Sequence, residues 1–375
     1  MRVGIVTSSY PRFDGDFAGH FVHRSALRLI ERGHEVRVIA PRPEQPGSLT
    51  TPPGLELCLA PTPQGVFYGA GAPENLRRLG WRAPDLALRS GLALARHAER
   101  HLQDAEVLIG HWVLPGGLIA AWLAGTRPFM VVAHSSGARM ALRAPAPMRS
   151  MIGFALSRAA VVSATDPELA GALAALRGGA VHWLGPDCGA PKAGPVGALR
   201  PVRPARPLTL GFLGRRAPIK GLDLLVEAVK GLVEREKLAL RLVVGGPQEV
   251  GALPLRAAWL DDRGLIHGDQ AKREFFADVD VLVVPSRRMG ARQEGLPCVL
   301  LEAWSAGVPV LMSDTGAGRW IVPSAWRFGS LNELSARLRA LALGGGPDDG
   351  GLSRVARLTA IWTQTEAHCY EKLGL

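Results

Sequence analysis

Short apolar runs alternate with helical patterns along the whole chain, and this alternation limits what it can fold into. Residues 3–7, 35–40, 107–109, 129–133, 159–163 and 181–184 read as buried parallel strands, with helices predicted over 21–32 and 85–103. Strands that alternate with helices imply a doubly wound α/β domain. Six prolines, Pro186, Pro191, Pro195, Pro201, Pro204 and Pro207, then break all periodicity. The alternation restarts beyond them, with strands predicted at 208–213, 240–244, 265–267, 279–284 and 308–312 and an amphipathic helix over 222–236. The domain reading is therefore residues 1–185, a linker at 186–207, a second α/β domain at 208–352, and a last helix over 353–375 that can pack back on the first domain. At 375 residues and 47% hydrophobic content, two sizeable cores are available.

In open α/β sheets, ligands meet loops that follow the strands. Here those loops are residues 8–16, 134–137, 214–221, 245–247, 285–294 and 313–316, and they collect hydroxyls, glycines, cations and carboxylates. Two such domains predict a central cleft. No G-x-G-x-x-G follows a strand and no P-loop occurs, which argues against a dinucleotide cofactor.

Two places concentrate chemistry. Arg215 and Lys220 lie in a glycine-flanked loop between a strand and a helix, which suits either two solvated basic residues or a diphosphate site: one fork, one point charge, and free N–H groups at a helix start. Glu294 and Glu302 lie eight positions apart in QEGLPCVLLEAWSAGVP. Residues 298–306 read as a short helix, with Pro297 at its first position and Gly307 as its cap. Glu302 is the only charge on that apolar segment, so it either reaches solvent or, if buried, needs a hydrogen-bond donor, a ligand hydroxyl or an internal ion pair. His134 follows a strand, where a structural role is as good a reading as a functional one, and the signal at His111 is weaker.

The charge balance, 44 Lys+Arg against 33 Asp+Glu, leaves a net +11. The arginines are scattered without interleaved aromatics, so nucleic acid is not the expected partner. Phosphates, nucleotides or an anionic membrane surface are. Cys58, Cys188, Cys298 and Cys369 form no CxxC pair and indicate neither zinc nor a disulfide framework. The N-terminus lacks a signal-peptide core, and the apolar run 114–123 is too short to span a bilayer. The expected location is the cytoplasm, with peripheral contact at the inner face of the membrane.

These residues resemble the retaining, nucleotide-sugar-dependent glycosyltransferases of family 4, whose fold is GT-B, and the likeness covers nearly the whole chain. EGLPCVLLEA is similar to the E-x7-E motif of that family and GRRAPIKG to its G-R-x-x-x-x-K-G loop. SSYPRFDGDFAGHFV resembles the N-terminal glycine loop, ERGHEVRVIAP the step after it, and GHWVLPGGLIAAWLA and VVAHSSG the acceptor-domain segments. VVGGPQEVGAL and FFADVDVLVVPS resemble the donor domain.

The resemblance implies two Rossmann-like domains and transfer of a hexose-type sugar from a nucleoside diphosphate sugar. The acceptor would be a glycan, a lipid-linked molecule or a small molecule, and the anomeric configuration would be retained. A role in cell-surface polysaccharide or glycoconjugate synthesis fits this reading. By position, Arg215 and Lys220 would hold the diphosphate, Glu302 the ribose and Glu294 the sugar hydroxyls, with amides around Gly295, Leu296 and Pro297 and near Gly15 completing the contacts. His134 falls on the active-site histidine of the family. Neither a metal nor a cofactor is implied. Alternatives are a GT-B nucleotide-sugar epimerase or phosphorylase, and a non-catalytic sugar-binding protein.

The chain departs from the family pattern at Gly137, where an Asp is common, at Trp320, where a Glu is common, and over 324–328, which lacks a Pro-Gly-Asp turn.

Overall fold

In the computed structural model, described over residues 1–45, 47–69, 71–187, 202, 207–247, 256–290, 293–346 and 352–375, the chain forms two compact units. One comprises Met1–Asp187 and Trp362–Leu375, the other Cys188–Ile361. Most of the linker expected at 186–207 lies outside the described residues, as do residues 248–255 of the donor-domain stretch and 347–351 of the glycine-rich loop.

The first unit runs β1 (Arg2–Val6), α1 (His20–Glu31), β2 (Glu35–Pro41), β3 (Leu55–Ala60), α2 (Ala72–Leu79), α3 (Ala83–His101), β4 (Val107–His111), α4 (Leu118–Ala124), β5 (Phe129–Ala133), α5 (Ser135–Leu142), α6 (Ala146–Arg158), β6 (Val161–Ala164), α7 (Pro167–Arg177) and β7 (His182–Trp183). Its seven strands are all parallel, in the order β3-β2-β1-β4-β5-β6-β7. The order reverses between β1 and β4, the switch point of a doubly wound sheet.

Because successive strand residues point to opposite faces, the sheet divides two cores. Val6, Leu108, Val131 and Val162 pack on the face with Leu94 and Ala98 of α3 and Ile152 of α6. Ile5, Val38, Val107 and Val161 pack on the other, with Val22, Ala26 and Leu29 of α1. Burial on both faces makes the strands near-continuous apolar runs, which is why they were readable from sequence.

Cys369, Tyr370 and Leu373 join the α1 side of this core. They belong to the last helix of the chain or its end, and Arg28 of α1 binds Glu366 at 3.3 Å and Asp187 at 2.5 Å there. Strand β3 has no counterpart in the sequence reading. Its pattern mixes Glu56 with apolar residues, as an edge strand allows.

The second unit contains β8 (Leu208–Leu213), α8 (Leu222–Lys230), β9 (Leu240–Gly245), β10 (Leu260–Asp262), α9 (Gly268–Asp278), β11 (Val281–Val284), α10 (Cys298–Ser305), β12 (Val310–Ser313), β13 (Arg327–Phe328) and α11 (Leu331–Ala342), and the chain ends with α12 (Leu352–Glu371). Its parallel order, β10-β9-β8-β11-β12-β13, reverses between β8 and β11.

The strand predicted at 265–267 is loop, and the edge strand is β10 instead. Leu260 pairs with Leu242, while Asp261 and Asp262 meet Arg241 at 2.6 Å and Arg216. An edge held by ion pairs carries no apolar signature, and the more apolar Leu265 is left exposed. Among the described residues no helix is long and apolar enough to cross a membrane.

Candidate functional site

The switch point of the second sheet brings the two chemistry-bearing loops together. The loop after β8 ends in a short turn, Pro218–Lys220, and the loop after β11 runs from Pro285 to α10. Since β8 and β11 are neighbours, these loops share one edge. The Arg287 amide donates to the Ile219 carbonyl at 2.8 Å and binds one loop to the other.

The approach requires Gly221. Its φ is +69°, and a Cβ there would stand 2.0 Å from the Pro285 carbonyl oxygen. Gly316, at φ +70°, gives the same kind of clearance on the other side, where a Cβ would meet the Glu294 carbonyl oxygen at 2.5 Å.

Within this packed corner the Lys220 ammonium donates to Glu294 Oε1 and the Ser286 hydroxyl donates to Glu294 Oε2. Both carboxylate oxygens are thus engaged, and the side chains are only 22% (Lys220) and 14% (Glu294) exposed. The Ser286 carbonyl in turn accepts from Ser313 Oγ at 2.5 Å and Thr315 Oγ1 at 2.9 Å. The loop after β12 therefore props the loop after β11, which holds Glu294. Burial, and then the nearby Arg215, push the Lys220 ammonium down to about 8.

Glu302 lies on α10, where Lys272 of α9 donates to its Oε1 at 2.8 Å. Of the readings open at Glu302, the internal ion pair is what the chain adopts in this structure, with the side chain only 12% exposed. Pro297 occupies the cap position of α10, one residue before the first helical position expected for it, with extended ψ of 125°. Gly307, at φ +72°, follows the helix end. Leu296 and Pro297 are buried and Gly295 is half-buried. Of the neighbouring arginines, Arg216 is spent on Asp262, bonded through Nη1 at 2.7 Å, while Arg215 is half-buried beside Lys220.

In the first unit, Gly15 is exposed at φ +84° in a loop tied by Arg12 to Asp16, Nε to Oδ2 at 2.6 Å. His134 is buried at the N-cap of α5. Its Nε2 shares a 3.1 Å hydrogen bond with Nδ1 of His111, the last residue of β4, and its ring lies 4.6 Å from Phe21 and 4.7 Å from Trp112. Burial, and for His134 also the neighbouring ring, hold both histidines well below the usual range, His111 at about 3. The pair is neutral at physiological pH, one ring donating and the other accepting.

Trp112 adopts φ +63°, a strained conformation for a bulky residue. Its ring fills the space beside Gly137, where a Cβ would lie 3.0 Å from Trp112 Cδ1, so an Asp at 137 would have to displace it. Trp320 is partly exposed under the Arg319 guanidinium, 5.1 Å from the ring centroid.

Lys272, Ser286, Ser313 and Thr315 carry no assigned role in the sequence reading. Serine and threonine at strand ends signal a polar loop but not which carbonyl they support, and a helical lysine gives no local signal for a partner thirty residues away. Glu56, Cys58 and His101 bring ligand atoms within 4.8 Å of one another near the edge of the first sheet. Arg37 occupies Glu56 at 2.5 Å, and burial, then the Glu56 hydrogen bond, push the Cys58 thiol up to about 11, so the trio does not fit a metal.

The chain matches the family described as Glycosyl transferase 4-like domain over residues 18–185 and the one described as Glycosyl transferases group 1 over residues 207–331. It is 29% identical over 351 residues to the D-inositol 3-phosphate glycosyltransferase of Kineococcus radiotolerans, covering 82% of this chain and 75% of that protein. A shorter match, 36% identical over 115 residues, covers 29% of this chain and 30% of the Mycobacterium tuberculosis GDP-mannose-dependent alpha-(1-6)-phosphatidylinositol monomannoside mannosyltransferase. In fold it is similar to the Anabaena Alr3699/HepE structure in complex with UDP and glucose, with a TM-score of 0.64, 14% identity and 99% of each chain covered.

Proposed function

The chain belongs to family 4 of the nucleotide-sugar glycosyltransferases, which have the GT-B fold, and from that premise we propose how the second unit holds its donor. The observation that carries the reading is the Lys220–Glu294–Ser286 cluster at the switch point between β8 and β11. A cation, a carboxylate and a hydroxyl converge where a doubly wound sheet takes its ligand.

The donor diphosphate takes Lys220 and Arg215, and the sugar hydroxyls donate to Glu294. The ribose hydroxyls donate to Glu302, which Lys272 holds in place. The amides of Gly295, Leu296 and Pro297 complete the sugar contacts. Donor binding thus exchanges the internal ion pair for two ligand contacts, using groups already ordered by packing.

In the reaction, the bond from the anomeric carbon to the diphosphate oxygen breaks and Lys220 and Arg215 stabilise the departing charge. The acceptor hydroxyl forms its bond on the same face, so configuration is retained, and its proton passes to the leaving diphosphate. Glu302, bound to ribose, takes no part as acid or base. In the first unit, His134 with its partner His111 is assigned to the sugar and acceptor side, and amides near Gly15 to the phosphate. The named relatives act on inositol phosphate and phosphatidylinositol monomannoside, so a phosphate-bearing polyol or its lipid is the acceptor class to test first, with a glycan second.

Thermal-shift measurement with UDP-, GDP- and ADP-sugars identifies the nucleotide, because a donor bound by the native state stabilises it by mass action. Turnover with an acceptor panel then tests transfer. Glu294→Gln keeps shape and Ser286 contact but loses the charge, and transfer is expected to fall by roughly 10²-fold with the fold unchanged. Full transfer by this variant would remove Glu294 from the site.

A pH dependence follows from Lys220. With its ammonium at about 8 in the free protein, donor affinity falls as pH rises through about 8, and above that pH binding takes up a proton because the diphosphate favours the charged form. Calorimetry in buffers of different ionisation enthalpy reads that uptake, and its absence would contradict the assignment.

A further inference from the structure

The first unit carries an outward apolar face that the donor chemistry leaves unused. On α6, Ile152, Ala155 and Leu156 pack inward, whereas Met148, Met151 and Phe154, three residues apart, are 44%, 51% and 64% exposed. Trp122, on the adjoining helix α4, is 58% exposed. Arg158 joins the two helices, donating from Nη2 to the Gly125 carbonyl at 3.0 Å and from Nη1 to the Ala121 carbonyl at 3.4 Å, while its guanidinium lies 5.9 Å from the Phe154 ring. Arg143 and Arg149, both exposed, flank the N-terminal end of α6.

The segment of chain that forms this face carries charge of one sign. Between Glu106 and Asp166 the sequence contains no Asp or Glu, and it contains five arginines. Isolated exposed apolar residues are ordinary, but four on adjoining helices form a patch that calls for a partner. A second copy seated symmetrically would bring Arg143, Arg149 and Arg158 against their own copies, and the segment that carries them supplies no carboxylate to offset them. An anionic bilayer supplies what the face lacks: headgroup charge for Arg143, Arg149 and Arg158, and apolar depth for Met148, Met151, Phe154 and Trp122.

We infer that the α4–α6 face is a docking surface for an anionic lipid bilayer, with Trp122, Met148, Met151 and Phe154 entering the interface and the three exposed arginines meeting lipid phosphates. The docking is independent of turnover, so it can fail while the transferase reading stands, and the reverse.

The test is co-sedimentation of the full chain with vesicles of phosphatidylcholine alone or mixed with phosphatidylglycerol, without donor. The chain is expected to pellet with the mixed vesicles only, and less as salt is raised. Met151→Ser/Phe154→Ser and Arg143→Glu/Arg149→Glu are each expected to weaken binding roughly tenfold or more. Leu343→Ser, at an exposed apolar residue of the second unit, is expected to leave it unchanged. Circular dichroism checks the fold of each variant, and the charge-reversal pair, confined to exposed side chains, keeps the test open if the apolar pair misfolds. Equal pelleting with neutral vesicles, or unaltered binding by the charge-reversal variant, overturns the proposal. So does a concentration-dependent dimer that these substitutions dissolve in the absence of any vesicle binding.

Discussion

Lys220→Ala is expected to lower sugar transfer by roughly 10²–10³-fold, because the cation that meets the leaving diphosphate is lost where charge develops. The same substitution has a second effect. Glu294 keeps the Ser286 hydroxyl but loses its ammonium partner, and a mostly buried carboxylate left half-satisfied is expected to cost about 1–3 kcal/mol of stability. The two effects separate in the double variant Lys220→Ala/Glu294→Gln. A neutral amide needs no cation, so stability is expected to return toward the parent value while transfer does not. Chemical denaturation and initial rates with the matching donor read the two quantities. Near-parental transfer by Lys220→Ala would end the diphosphate assignment. Unchanged stability would mean that the ion pair contributes nothing to the fold.

Gly221→Ala is expected to be among the most damaging single changes to the second unit. The added Cβ meets the Pro285 carbonyl oxygen at 2.0 Å, and the backbone at φ +69° already disfavours an L side chain. Neither loop can withdraw cheaply, since the Arg287 amide is bonded to the Ile219 carbonyl across the same contact. A loss of about 3 kcal/mol or more is expected on this ground, with donor binding lost as Lys220 moves from Glu294. Denaturation midpoints test the first part and donor titration the second. A variant of parental stability would show that the loops separate more easily than their packing suggests.

Much of this architecture was legible beforehand, and the reasons are local. Strands such as Val281–Val284 and Leu208–Leu213 are buried on both faces, so their apolar runs stand out against the helices between them. Lys220 and Gly221 sit in one loop, and Glu294 and Glu302 in one stretch, so spacing alone marks them as candidates. Edge elements were not legible. Asp261 and Asp262 in β10 are held by arginines from elsewhere in the chain, and Glu56 in β3 by Arg37, and such pairings leave no pattern in a local window.

By itself, the sequence determined the α/β class and which side chains could carry phosphate and hydroxyl chemistry, because each depends on periodicity or on residues close together in the chain. Only the tertiary structure decided who pairs with whom. The reversal of strand order between β8 and β11 puts Lys220 against Glu294 across seventy-four positions, Ser286 beneath the same carboxylate and Lys272 on Glu302. The burial that makes those pairings firm is a property of the packed sheet edge, which no stretch of the chain possesses alone.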